Sequence, residues 1–282
     1  MSSQLPTFLI LGAAKSGTTS LYSALGKHPD VFVSYTKEIH YFDDDQNWAR
    51  GEDWYRTFFE TSGGERAVGE ATPSYLANPV VPARIAKTVP GVRLIAILRD
   101  PVQRARSWYF HMRYFGWEHR SFEEAVAEEL QVPGWDLPPH YLAGGRYRDQ
   151  LERLTEYFDR EQILVALLDD LQADPGATFE TVMDHVGVDP TPGVAPRVAE
   201  NTYKEVRLEP LARRIQSSRL AARVSPRSRE RLVRAFTRTG VTPPPIDPAT
   251  SATLYAAFEE ENEKLGAWLG RDLSMWSGSR TE

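Results

Sequence analysis

The sequence predicts an α/β fold of three layers, a mostly parallel central sheet between helices, with a helical extension towards the C-terminal end. Three observations predict it. Short apolar runs alternate with helical patterns, the arrangement of parallel strands joined by crossover helices. The runs around residues 8 and 95 are nearly continuously apolar, as strands buried on both faces require. The first run ends in a glycine-bounded loop that opens into a helix, and such sheets bind ligands beyond the carboxyl ends of their strands.

Strands are expected at Thr7–Leu11, Val31–Val33, Ala67–Gly69, Val92–Leu98 and Gln162–Leu167. Helical patterns fill the gaps at Thr18–Lys27, Pro82–Lys87, Val102–Tyr114, Phe122–Leu130, Arg148–Phe158 and Ala177–His185. The character changes after Asp189. Residues 189–207 read as a loop rich in proline, valine and charge. Helices are expected at Leu208–Leu220 and Pro226–Arg238, and the run Pro243-Pro244-Pro245 precedes a last helix over Ala249–Leu269. Tyr255, Phe258, Leu265 and Leu269 form its expected buried stripe. The chain therefore reads as one domain over residues 1–282, an α/β core at 1–188 and a helical extension at 189–282.

Composition removes several function classes. Cysteine is absent, which excludes disulfides, cysteine-ligated zinc and thiol catalysis. The net charge of −6 argues against nucleic-acid binding and against other heavily charged polyanionic partners. No apolar run is long enough to span a membrane, and the N-terminus lacks a secretory pattern, so a cytoplasmic protein is expected. The sequence sets no oligomeric state.

The loop after the first strand runs Gly12-Ala13-Ala14-Lys15-Ser16-Gly17-Thr18-Thr19-Ser20. Successive backbone N–H groups at the positive end of a helix dipole cradle a phosphate or a similar oxyanion. Lys15 adds a cation, and the Thr18 and Thr19 hydroxyls add donors. In a Walker A loop the lysine follows the second glycine and a hydroxyl follows the lysine to hold Mg²⁺. Here Lys15 precedes Gly17. The spacing keeps the cradle, moves the cation and points to transfer of something other than a metal-chelated phosphoryl group.

Lys15-Ser16-Gly17-Thr18-Thr19 resembles the 5′-phosphosulfate loop of sulfotransferases that use 3′-phosphoadenosine 5′-phosphosulfate (PAPS). A second segment, Leu94 to Leu98 followed by Arg99-Asp100-Pro101, with Ser107 eight residues after the arginine, resembles the 3′-phosphate motif of the same family. An arginine at a strand end and a serine two turns into the next helix can grip one phosphate from two sides. The resemblance implies a P-loop-like fold, in-line sulfuryl transfer from PAPS to a hydroxyl, release of 3′-phosphoadenosine 5′-phosphate (PAP), and no metal. It assigns Lys15, Ser16, Gly17, Thr18, Thr19, Ser20, Arg99 and Ser107 to the nucleotide, with Lys15 stabilising the leaving group. Lys204 and Arg207 lie where the family places further basic residues on the 3′-phosphate.

Lys37-Glu38-Ile39-His40-Tyr41-Phe42-Asp43 resembles the Lys-Glu-x-His-[Phe/Tyr]-Phe segment of heparan-type and related bacterial sulfotransferases. The resemblance makes Glu38 the general base. His40 would lie on its side in an extended segment, and either group can take the proton. Asp43 can position either one, or is one more member of the acidic run Asp43-Asp44-Asp45. A plainer role for Glu38 is an ion pair with Lys37 on a solvated loop. Gly69-Glu70-Ala71-Thr72-Pro73 resembles a family segment that carries lysine where this chain has Ala71, which argues against a glycosaminoglycan acceptor. Glu70 reads equally as structural. The acceptor is expected to be a carbohydrate or small metabolite, met by Asp43, Tyr75 and the aromatics Trp117, Trp135 and Tyr141 of a poorly periodic stretch over residues 116–146. Arg104 and Arg106 read as solvated helix residues and His111 as a half-buried structural histidine. Two other readings stay open. A P-loop nucleotide kinase lacks its Gly-Lys-[Ser/Thr] run here, and a non-catalytic nucleotide-binding protein would not need Lys15, Glu38, Arg99 and Ser107 together.

Overall fold

Alternation along the first apolar run builds two faces at once. In the computed structural model, Leu9 and Leu11 lie on one side of the sheet and Phe8 and Ile10 on the other, all fully buried. The structure describes residues 4–132, 138–190, 195–196, 203–206, 237–241 and 243–278. Among them, β1 (Phe8–Gly12), β2 (Val31–Val33), β3 (Ala67–Ala71), β4 (Arg93–Leu98) and β5 (Ile163–Leu167) form one sheet in the order β2-β3-β1-β4-β5. Every neighbouring pair is parallel. The central strand β1 sets Phe8 opposite Gly69 and Leu9 opposite Leu94. Glycine is required at 69, since a Cβ there would lie 2.4 Å from the Phe8 ring.

Helices close both faces. The Leu9 face packs against α4 (Val81–Thr88) and α7 (Tyr147–Thr155), through Ile85, Leu151 and Leu154. The Phe8 face packs against α1 (Thr18–Leu25), α8 (Leu168–Ala173) and α9 (Pro175–Val186), through Leu21, Leu171 and Phe179. A third apolar cluster joins α5 (Pro101–Phe115), α6 (Phe122–Gln131) and the long last helix α10 (Pro248–Leu269). Asp100 and Ser121 cap α5 and α6 by accepting backbone N–H bonds of the first turn. No helix among the described residues is long and apolar enough to cross a membrane.

The five strands and six core helices expected from the pattern are present. Three short helices were not foreseen: α2 (Asp45–Trp48), α3 (Gly51–Arg56) and α8. At four to six residues they are too short to show a helical period. The expected loop at 189–207 contains a strand, β6 (Tyr203–Val206), which pairs antiparallel with β7 (Thr237–Val241). The helix expected at Pro226–Arg238 therefore does not reach its end, and residues 207–236 lie outside the described residues. Such a pairing joins segments far apart in sequence, so neither segment signals it alone. On α10 the buried stripe is Leu254, Phe258, Leu265 and Gly266, with Tyr255 half-buried. Phe258 and Leu265 match expectation, and Leu254 takes the place given to Tyr255.

Candidate active site

The loop after β1 leaves backbone and hydroxyl donors unsatisfied among the described residues. Gly17 caps α1 with φ 91°, a left-handed conformation that glycine adopts freely. Lys15 is also left-handed, at φ 74°, a strained setting that a site-bearing loop retains. No side chain caps α1, and its first turn holds no acidic residue, so its N-terminal dipole is left for a ligand. The Ser16 hydroxyl is 0% exposed and has no partner among the described residues. A buried orphan hydroxyl beside an uncapped helix start fits a bound phosphate or phosphosulfate oxygen. Thr18 is buried, Ser20 half-buried and Thr19 exposed.

The second motif reaches the same edge of the sheet. β1 and β4 are adjacent and parallel, so their carboxyl ends lie side by side. The Arg99 guanidinium donates from Nη1 to the Lys15 carbonyl at 3.2 Å. Burial pulls the Arg99 pKa down from the usual arginine value, partly opposed by the neighbouring Asp100 charge. Ser107 lies half-buried two turns into α5. His111, also half-buried, stacks on Trp108 with ring centroids 5.0 Å apart.

Arg104 and Arg106 correct their sequence reading. Both are buried. Arg104 donates to the Tyr141 carbonyl, and Arg106 donates to the carbonyls of Pro243 and Pro244. Carbonyl-rich irregular segments need donors in the interior, and arginine supplies five. Helix periodicity does not reveal this, because the partners lie in other parts of the chain.

The segment from Lys37 to Asp43 departs from an extended strand. Glu38 and His40 have φ of 64° and 55°, so the alternation that would align them does not apply. The Glu38 amide donates to the Ala71 carbonyl at 2.9 Å, which docks the segment beyond the end of β3. The Glu38 carboxylate is 47% exposed and pairs with Lys37. His40 Nδ1 lies 3.1 Å from both oxygens of Asp43. A carboxylate only accepts, so Nδ1 carries the proton and the neutral ring keeps its lone pair on Nε2. Asp43 in turn accepts from the Ser74 hydroxyl. The hydrogen bond to Asp43 pushes the His40 pKa up, against partial burial.

Beneath this segment lies a buried carboxylate. Glu70 Oε1 accepts from Tyr55 and Tyr75 at 2.9 and 3.0 Å, and Oε2 accepts from Thr72 at 2.7 Å. The Tyr75 oxygen accepts the Tyr41 amide at 2.9 Å, so the chain beside His40 rests on Glu70 through one hydroxyl. Burial pushes the Glu70 carboxyl up to about 6, against the three hydroxyls that lower it. The native state therefore holds this proton more tightly than the unfolded chain between pH 4.5 and about 6. Stability falls across that window as pH rises, by about 2 kcal/mol for this group. Glu70→Gln is expected to flatten that part of the profile in urea titrations at stepped pH; an unaltered slope would show that Glu70 does not set it.

Two acceptor assignments are corrected. Tyr75 is 0% exposed and bonded as above, and Tyr141 is fully buried with its hydroxyl on Glu118 at 3.1 Å. Both rings are packed in the interior rather than presented to an acceptor, which aromatic content alone does not reveal. Trp117 is 67% exposed and stacks on Phe115. Trp135 and Arg207 lie outside the described residues, and Lys204 stands on β6. The missed contributors are Ser74 and Tyr55. Ser74 lies beside the Gly69–Pro73 segment, a nearby signal; Tyr55 gives none.

Comparison with known proteins follows the same geometry. The chain matches the sulfotransferase domain across residues 5–229. Human bifunctional heparan sulfate N-deacetylase/N-sulfotransferase 2 is 31% identical over 199 residues, covering 66% of this chain and 22% of that protein. This chain thus corresponds to a minor part of that relative's length. A sulfotransferase structure from Alicyclobacillus acidocaldarius aligns with TM-score 0.71 at 28% identity, covering 97% of this chain and 99% of that one. A mouse sulfotransferase complexed with PAP shares the fold at TM-score 0.52 and 15% identity, covering 96% and 89%.

Proposed function

This chain belongs to the sulfotransferase family, and from that premise we propose that it moves the sulfuryl group of PAPS to a hydroxyl of a carbohydrate or small-metabolite acceptor. The observation that supports the reading is the Arg99–Lys15 contact, which brings the segments after β1 and β4 together although they lie far apart in the chain. PAPS supplies the sulfuryl group and leaves as PAP. The N-terminus of α1, with Ser16, Gly17, Thr18, Thr19 and Ser20, holds the 5′-phosphosulfate. Arg99 and Ser107 hold the 3′-phosphate, joined by Lys204 and Arg207. Lys15 keeps a positive charge where the leaving oxygen gains negative charge.

Glu38 is the proposed general base. His40, held by Asp43 and Ser74 with Nε2 free to accept, is the second group able to take the proton. On the acceptor side Trp117 and Trp135 remain candidates. Ala71 brings no charge beside Glu38, in keeping with an acceptor that is not a polyanion.

Calorimetric titration with PAP, and with ATP plus Mg²⁺, tests the reading. Metal-independent PAP binding, weakened about tenfold or more by Arg99→Ala, is expected, since a charge-assisted phosphate contact is worth about 1.5–3 kcal/mol. Binding of Mg-ATP without PAP binding would sink it in favour of phosphoryl transfer.

A further inference from the structure

The turn that presents Arg99 is held by two tyrosine hydroxyls from outside both nucleotide motifs. Tyr147, fully buried at the start of α7, donates to the Arg99 carbonyl at 2.9 Å. Tyr255 on α10 donates to Asp100 Oδ2 at 3.0 Å. Asp100 Oδ1 is occupied in capping α5, accepting from the Val102 and Gln103 amides at 2.8 and 3.1 Å. Gln103 Nε2 lies 3.4 Å from the Tyr255 oxygen and completes the ring of contacts. Gly278 packs against Tyr255, since a Cβ there would lie 2.6 Å from its ring.

These bonds decide what Asp100 does. It is the carboxylate next in sequence to Arg99, in a half-buried position where burial raises its pKa and the Tyr255, Val102 and Gln103 bonds lower it. Without the Tyr255 hydroxyl, Asp100 Oδ2 turns to the donors around it, and of Gln103 Nε2 and the Arg99 guanidinium the charged guanidinium is the stronger one. An Arg99 turned towards Asp100 is lost to a ligand phosphate. A carbonyl left without Tyr147 also frees the backbone that aims the arginine, and such sites tolerate about 0.5 Å of error.

We infer that Tyr147 and Tyr255 are positioning residues for the 3′-phosphate grip, so that α7 and α10 set how strongly the protein prefers a 3′-phosphorylated nucleotide over one without that group. The inference rests on the proposed cofactor reading.

The test is the ratio of affinities for PAP and AMP, which differ by the 3′-phosphate alone, measured by calorimetry at one ionic strength. Wild type is expected to prefer PAP strongly. Tyr255→Phe is expected to weaken PAP about tenfold and leave AMP unchanged, the size of one lost charge-assisted bond. Tyr147→Phe is expected to act in the same direction. Adding Asp100→Asn to Tyr255→Phe removes the competing charge, keeps a capping side chain and is expected to restore the preference. A merely structural tyrosine would weaken both nucleotides together and would not be rescued. Equal PAP-to-AMP ratios in wild type and Tyr255→Phe would overturn the inference and leave the cofactor reading standing. Loss of preference in wild type itself would overturn both.

Discussion

Lys15→Ala is expected to lower kcat by about 10²–10³-fold, the usual effect of removing one preorganised group from a developing charge. The loss should appear in kcat more than in PAP affinity. On the proposed reading the Arg99 grip and the N-terminus of α1 still hold the nucleotide, and Lys15 would act where charge grows during transfer. Lys15→Arg keeps the charge but changes its reach and shape, so only partial recovery is expected. The measurement is PAP release from PAPS with a saturating hydroxyl acceptor, read beside PAP titration of each variant. An alanine variant that turns over like wild type would remove Lys15 from the chemistry.

Glu38→Gln is expected to cost about 10²–10⁴-fold in kcat if the carboxylate takes the acceptor proton. The pH profile separates Glu38 from His40. The Asp43 bond raises the His40 pKa above 6.5, so the ring is charged below that raised value and neutral above it. If His40 is the base, activity rises with pH through the raised value. Asp43→Asn removes the largest cause of the shift and moves that acid limb to lower pH, while also loosening the ring. If Glu38 alone is the base, the limb is indifferent to Asp43. The sign for stability follows the same shift. The His40–Asp43 pair contributes fully below pH 6.5 and is lost as pH rises through the raised pKa.

The relation between sequence and site is clearest at particular residues. Lys15 and Arg99 were legible because each stands at the end of a continuous apolar run, and parallel strands deliver such ends to one edge. Asp43 was legible as a positioning group, three residues from His40, although its partner was not fixed by sequence. Glu70 read equally as structural or functional. Its burial depends on β3 running two residues further than its apolar signal and lying between β2 and β1. Tyr75 and Tyr141 read as acceptor aromatics because a side chain's direction is not written in its type.

The sequence by itself determined the sheet, its flanking helices and the two loops after β1 and β4 that carry the motifs. These rest on local periodicity and on a spacing that parallel strands convert into proximity. Tertiary structure alone decided which polar groups are interior. It set Glu70 under three hydroxyls, turned Arg104 and Arg106 inward to loop carbonyls, and brought Tyr147 and Tyr255 onto the Arg99 turn. The physical reason is that a buried polar group is fixed by its partners, and all of these but Thr72 and Tyr75 lie from 15 to 155 residues away along the chain.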